Sequence, residues 1–165
     1  MNEIELYPQV VIWAQQYLQG RHPRHHVEVY DTHAANLSRF IVEKGLQKFF
    51  PHANVYDIKV DISAFLKRSN QIQLAFIECK VKPITLRDLG QILAYARVAN
   101  PAYAFILSPR YLSPALHELL VVYRKYDLLE YAPGKKIRIG KWNLKRKELD
   151  TDSLLPPGTH LQMQR

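Results

Sequence analysis

The 165-residue chain contains a single cysteine, Cys79. One thiol closes no internal disulfide and anchors neither an iron-sulfur cluster nor a multi-cysteine zinc site, so a reducing, cytoplasmic setting is the expectation. Glycine is also scarce, at six residues, which excludes collagen-like and glycine-rich low-complexity chains. Acid is in short supply: 15 Asp and Glu stand against 23 Lys and Arg, leaving a formal charge of +8 and a pI near 9.6. That surplus points to a polyanionic partner or an anionic surface. No long hydrophobic run is present. The longest uncharged stretch, residues 6–20, is broken by Pro8 and several glutamines and falls short of the ~20 apolar residues of a bilayer span. The first residues are acidic rather than basic, so neither a signal peptide nor a membrane partner is expected. What is plentiful is apolar side chain, 47% of the residues, enough for one packed domain over 1–165 and too much for disorder.

Leu6, Val10, Trp13, Ala14, Tyr17 and Leu18 recur at helical spacing and predict a helix over 3–18. A loop of breakers and cations follows at 20–26 and carries His22, His25 and His26. With His33 these form a histidine-rich group that no regular spacing gathers on one metal, and a solvated loop is expected. A short strand at 27–30 leads to a second helix, capped by Asp31 or Thr32 and running to about residue 50. Between 55 and 66, Ile58, Val60, Ile62, Ala64 and Leu66 alternate at period two, and 71–81 answers with Ile72, Leu74 and Phe76 on one face. The two segments predict a hairpin turning at 67–70. Thr85 and Asp88 form a capping box for a helix reaching about residue 100. A strand buried on both faces follows at 103–107. Ser113 and Pro114 open a further helix with Leu116, Leu119, Leu120 and Tyr123 on its buried stripe. A second hairpin is expected from 128–131 and 135–142, within a basic extension over 128–150, and a loose tail over 151–165. The order implies an α/β domain with a mixed sheet.

Chemistry concentrates at Asp61 and at Glu78-Cys79-Lys80. On a strand, positions 78 and 80 share a face, so a carboxylate and an ammonium arrive side by side at the end of an apolar run. Such groups are costly to bury unless paired, metal-bound or at an open sheet end. If the hairpin brings Asp61 alongside, two carboxylates and the Cys79 carbonyl form a hard oxygen site suited to Mg²⁺ or Mn²⁺. The Cys79 side chain points to the opposite face, as a core thiol. Between Lys135 and Lys147 lie seven cations, Lys135, Lys136, Arg138, Lys141, Lys145, Arg146 and Lys147, and no acid. With Trp142 among them, the run suits gripping phosphates.

Asp61, then Glu78-Cys79-Lys80 closing a hydrophobic strand, then a helix with Gln91 and Tyr95 in a Gln-x-x-x-Tyr pattern, resembles the PD-(D/E)XK nuclease superfamily, with its RecB-type helix. The resemblance covers roughly residues 33–108, and no proline precedes Asp61. It implies a restriction-endonuclease-like central mixed sheet flanked by helices, with the basic C-terminal hairpin as an extension. It also implies a Mg²⁺-dependent deoxyribonuclease of DNA repair, recombination or defence, acting on duplex, branched or single-stranded DNA. Asp61 and Glu78 would hold the metal, Lys80 would assist the water, and Gln91 and Tyr95 would support the site. Leu86, Leu89, Leu93 and Ala96 would form the helix's core stripe, leaving Arg87 beside Gln91 and Tyr95 toward DNA. Members often carry a further acid before the first strand, for which Glu43 is the candidate and Glu28 the second. Fold analogy also suggests a homodimer. The alternative is a nucleic-acid-binding protein of the same fold without the reaction.

Overall fold

A computed structural model describes residues 1–158. After a short 3₁₀ turn at Glu3–Glu5 the chain forms α1 (Tyr7–Arg21), β1 (His26–Asp31), α2 (Leu37–Glu43), β2 (Ile62–Arg68), β3 (Gln71–Cys79) and α3 (Leu86–Ala99). It continues through β4 (Tyr103–Ser108), α4 (Pro114–His117), β5 (Glu130–Ala132), β6 (Lys135–Lys136), β7 (Arg138–Asn143) and β8 (Glu148–Leu155). Six strands form one mixed sheet in the order β1-β2-β3-β4-β7-β8. β3, β4 and β7 are parallel, while β1, β2 and β8 run antiparallel to their neighbours. The fold is thus α/β with a mixed sheet between helices. Its strands come from residues 26–155, beyond the segment that carries the resemblance.

Each sheet face buries a core of its own. Against one face α1 packs Tyr7, Val10, Trp13, Ala14, Tyr17 and Leu18 onto Ile62, Ala64, Ile77, Phe105 and Leu107. On the other, Ile41 of α2, Leu89, Ile92 and Ala96 of α3 and Leu116 of α4 cover Phe65, Phe76, Ile106 and Ile139. The central strands are apolar on both sides for this reason, and all six β4 residues are buried.

Several elements depart from expectation. The second helix is capped by Asn36 and ends at Glu43. Gly45 at φ +68 donates to the Val42 carbonyl and Leu46 to that of Ile41, the paired bonds that close a helix at a left-handed residue. Thr32 is no cap: its hydroxyl donates to the Val60 carbonyl at 2.7 Å and its amide to the Asp61 carbonyl at 2.8 Å. In α3 the Thr85–Asp88 capping box forms as expected. The buried stripe, however, is Leu89, Ile92, Ala96 and Ala99, with Leu86 53% exposed. α4 makes one turn and passes into a π-turn at Glu118–Val122; Leu116 and Leu120 are buried, but the wider turn leaves Tyr123 exposed.

The largest difference lies at the C-terminus. β5 pairs with β6, not with the main basic strand. β7 joins the central sheet beside β4 and pairs with β8, so residues 151–155 form sheet and not a loose tail. Leu149, Leu154 and Leu155 anchor them. A Cβ at Gly140 would run into the Leu149 side chain, so glycine permits this packing. The remainder of the expected tail, residues 159–165, lies outside the described residues.

Candidate functional site

The β2–β3 register pairs Ile62 with Ile77, which sets Asp61 beside Glu78 at the carboxyl end of β3. Asp61 Oδ1 accepts the Tyr7 hydroxyl at 2.8 Å, and Oδ2 accepts the Cys79 amide at 2.8 Å. Glu78 is 8% exposed. Its Oε1 accepts from Lys80 Nζ at 3.3 Å, while Oε2 is buried with no partner. Lys80 Nζ also lies 3.9 Å from Glu3 Oε1. The Cys79 side chain points into the α1 core, as expected from strand alternation.

These contacts set the charge. Burial, then the neighbouring Asp61 carboxylate, push the Glu78 carboxyl up to about 7 against the pull of Lys80. Burial raises Asp61 too, opposed by the Cys79 amide and the Tyr7 hydroxyl. Burial works to lower Lys80, but Glu78 and Glu3 prevail and hold it above its ordinary value as a cation. Burial and the bond to Asp61 raise Tyr7, which is therefore a neutral donor. The buried Glu78, the half-buried Asp61 and a nearby Glu3 thus share a single ammonium, leaving the site short of positive charge as Glu78 ionises.

Among the described residues no group of three or more His, Cys, Asp and Glu side chains is placed to hold a metal. Asp61, Glu78 and a backbone oxygen are what the chain offers. The orphaned Glu78 Oε2 fits a hard cation, because a buried carboxylate oxygen otherwise finds a donor.

The remaining expected residues divide. Gln91 Nε2 donates to the Tyr95 hydroxyl at 3.1 Å, so the two bond each other along α3, and Arg87 is exposed on the same helix. Glu43 is exposed and bound by Arg39 Nε at 3.0 Å. Glu28 is held by Lys67 at 2.9 Å, Tyr30 at 2.8 Å and His26 at 3.2 Å. Neither candidate is the additional acid near Lys80; Glu3 is. Sequence reading also missed Tyr7. Both arrive because α1 packs over the sheet, and no local pattern announces such a contact.

The seven cations do not form one surface. Lys141, Lys145, Arg146 and Lys147 are exposed around the β7–β8 turn. Arg146 pairs with Glu148 at 3.3 Å. Lys141 and Lys145 line a cavity of about 310 Å³ with Pro109, Leu144 and Asp150. Because β3, β4 and β7 are parallel, this cavity opens at the same end of the sheet as Asp61. Lys135 instead donates to the Asn100 side chain at 3.1 Å, and Lys136 lies 3.9 Å from Glu130. Arg138 turns inward, 5.0 Å from the Tyr103 ring, at the opposite end. Trp142 is 2% exposed, bonded to Gln9 and set edge-on to Trp13, so its ring is unavailable for stacking on a base. The histidines are not uniformly solvated either: His22 is buried and bonded to the Tyr103 hydroxyl at 2.9 Å.

No family model matches the chain, and no curated protein matches it. Among solved structures it is similar to the crystal structure of the protein of unknown function AF1548, at 12% identity and a TM-score of 0.38. The likeness covers 80% of this chain and 56% of that one, so the chain spans little more than half of its neighbour's length. At that score it bears on neither fold nor function. No helix of the described residues is long and apolar enough to cross a membrane.

Proposed function

We propose that this protein is a divalent-metal-dependent DNA nuclease of the restriction-endonuclease-like type, hydrolysing phosphodiester bonds at the Asp61–Glu78–Lys80 end of the sheet. The observation that carries the reading is the buried Glu78 carboxylate, which has one oxygen without a partner and stands beside Asp61 and Lys80. Asp61, Glu78 and the Cys79 carbonyl are the residues that would hold Mg²⁺ or Mn²⁺, and the metal would supply Lewis acidity and a water of lowered pKa.

The chain's own groups have separable tasks. Tyr7 and the Cys79 amide fix the Asp61 carboxylate from two sides. Lys80 stays protonated, so its part is to orient water and stabilise charge developing on the phosphate oxygens, not to act as the base. Lys141 and Lys145, at the same sheet end, would engage the DNA backbone electrostatically. Gln91 and Tyr95 would act from α3 as a hydrogen-bonded unit. A homodimer serving two strands remains part of the proposal by fold analogy.

A specific observation favours a second reading. Lys80 lies within ion-pairing distance of both Glu78 and Glu3, an arrangement that a non-catalytic nucleic-acid-binding protein could keep for structure alone. The deciding experiment is cleavage of linear, circular, single-stranded and four-way-junction DNA with Mg²⁺, Mn²⁺ or EDTA, beside Glu78→Ala and Lys80→Ala. Metal-dependent cutting lost in both variants supports the nuclease. Binding without cutting on every substrate replaces it with the binding protein.

A further inference from the structure

Five buried side-chain polar atoms among the described residues have no hydrogen-bond partner. One is Glu78 Oε2, and the others are Tyr17 Oη, Arg21 Nε, His25 Nδ1 and Arg138 Nη1. Tyr17, Arg21 and Arg138 lie in one cluster, which His25 joins through His22. The Arg21 guanidinium lies 3.8 Å from the centre of the Tyr17 ring, whose neighbour at 6.2 Å is Phe105. Arg138 sits 5.9 Å from Phe105 and 5.0 Å from Tyr103. The Tyr103 hydroxyl bonds His22, whose ring meets that of His25 at 5.1 Å. The cluster stands where β4 and β7 begin and α1 ends, with the 15 residues of α1 spanning roughly 20 Å back toward Asp61.

Its chemistry is cationic and lacks a counter-charge. No ion pair among the described residues includes Arg21, His25 or Arg138. Burial lowers Arg138, and the nearby Arg21 adds to the effect. The ring faces hold the guanidinium planes, but an N–H on a guanidinium edge needs an oxygen, and none is supplied. The carboxyl end of α1 favours a cation at Arg21, yet offers its Nε no bond. A half-buried arginine without an anion is costly, and so are unmet buried donors.

We propose that Arg21 and Arg138, with His25 and Tyr17, form a second binding site, one that takes a phosphate group. Two guanidinium groups with an imidazole and a hydroxyl suit a tetrahedral oxyanion better than a carboxylate with its two oxygens. The unmet atoms are buried, although Arg21, His25 and Arg138 are each only partly so, and a ligand that reaches them is a projecting group, free phosphate or a phosphate monoester, not a phosphodiester lying along the surface. The site stands apart from the acidic end and does not depend on the nuclease reading.

The test uses the full chain in low-salt chloride buffer, titrated with inorganic phosphate, a 5′-mononucleotide and a short oligonucleotide with or without a 5′-phosphate. Binding is followed by calorimetry and by the His22 and His25 ring resonances. Saturable binding that moves those resonances is expected, weakened about tenfold or more in Arg21→Gln and in Arg138→Gln. A Lys125→Gln protein, altered at an exposed lysine outside both sites, should bind as wild type does. Arg138→Lys keeps the charge and removes only the fork, which guards against a misfolded Arg138→Gln. Tighter binding of the phosphorylated oligonucleotide would identify a nucleic-acid end as the source, and preference for the small phosphates a free ligand. No binding of any phosphate at roughly millimolar concentration would overturn the proposal. So would binding that survives both arginine variants or falls as far in Lys125→Gln as in them.

Discussion

The two ends of the central sheet carry unmet polar groups of opposite kind. At the Asp61 end the unpartnered atom is a carboxylate oxygen in an acid-rich site, and at the Tyr103 end it is a set of nitrogens and a hydroxyl among arginines and histidines. Between them the strands are apolar on both faces. The comparison teaches that the apolar packing of this fold lies in the middle, whereas the ends hold the polar and charged groups that the middle cannot. On the two proposals, one end takes a cation and the other an anion.

Removing the carboxylate should break the acidic end most visibly. Glu78→Gln keeps the shape and removes the charge, so metal-dependent cleavage should fall by about 100-fold or more, measured as initial rate. Stability against pH comes next. In the folded chain Glu78 titrates near 7, above its ordinary 4.5, so the native state binds the proton more tightly than the unfolded one. Its ionisation therefore costs stability progressively as pH rises from about 4.5 to 7, by roughly 3 kcal/mol in total. Asp61, also raised, adds in the same direction. Denaturant melts in EDTA should show the loss, which Glu78→Gln should flatten and Mg²⁺ should reverse.

Smaller effects sharpen the contrast. Tyr7→Phe deletes the donor to Asp61 and should cost about 1 kcal/mol of stability. It should also raise the Asp61 carboxyl further, as read by carboxyl NMR. Lys141→Gln and Lys145→Gln should each weaken DNA binding evenly across sequences and reduce the salt slope by about one, leaving the melts unchanged.

The acidic end was legible because period-two alternation in both hairpin strands fixed which residues face each other, bringing Asp61 to Glu78. The α3 start was legible from Thr85 and Asp88, whose bonds are local. The early end of α2 had a local sign in Gly45, outweighed by apolar residues beyond it that pack from 3₁₀ turns instead. β8 looked like a tail because Pro156, Pro157 and Gly158 follow it, although Leu149, Leu154 and Leu155 are buried. Arg138 and Trp142 were read as part of a charged run, whereas strand pairing with β4 turned both inward. Tyr7, Glu3 and the Arg21–Arg138 cluster depend on where α1 settles across strands far away in sequence, and no window of residues contains that information.

The most direct test of the account is calorimetric titration of Mn²⁺ into wild type and Glu78→Gln at pH 8, where Glu78 is ionised. One saturable site in wild type, absent from the variant, is the predicted result. Equal binding by both proteins, or no binding by wild type at roughly millimolar metal, would contradict a metal centre at this end of the sheet.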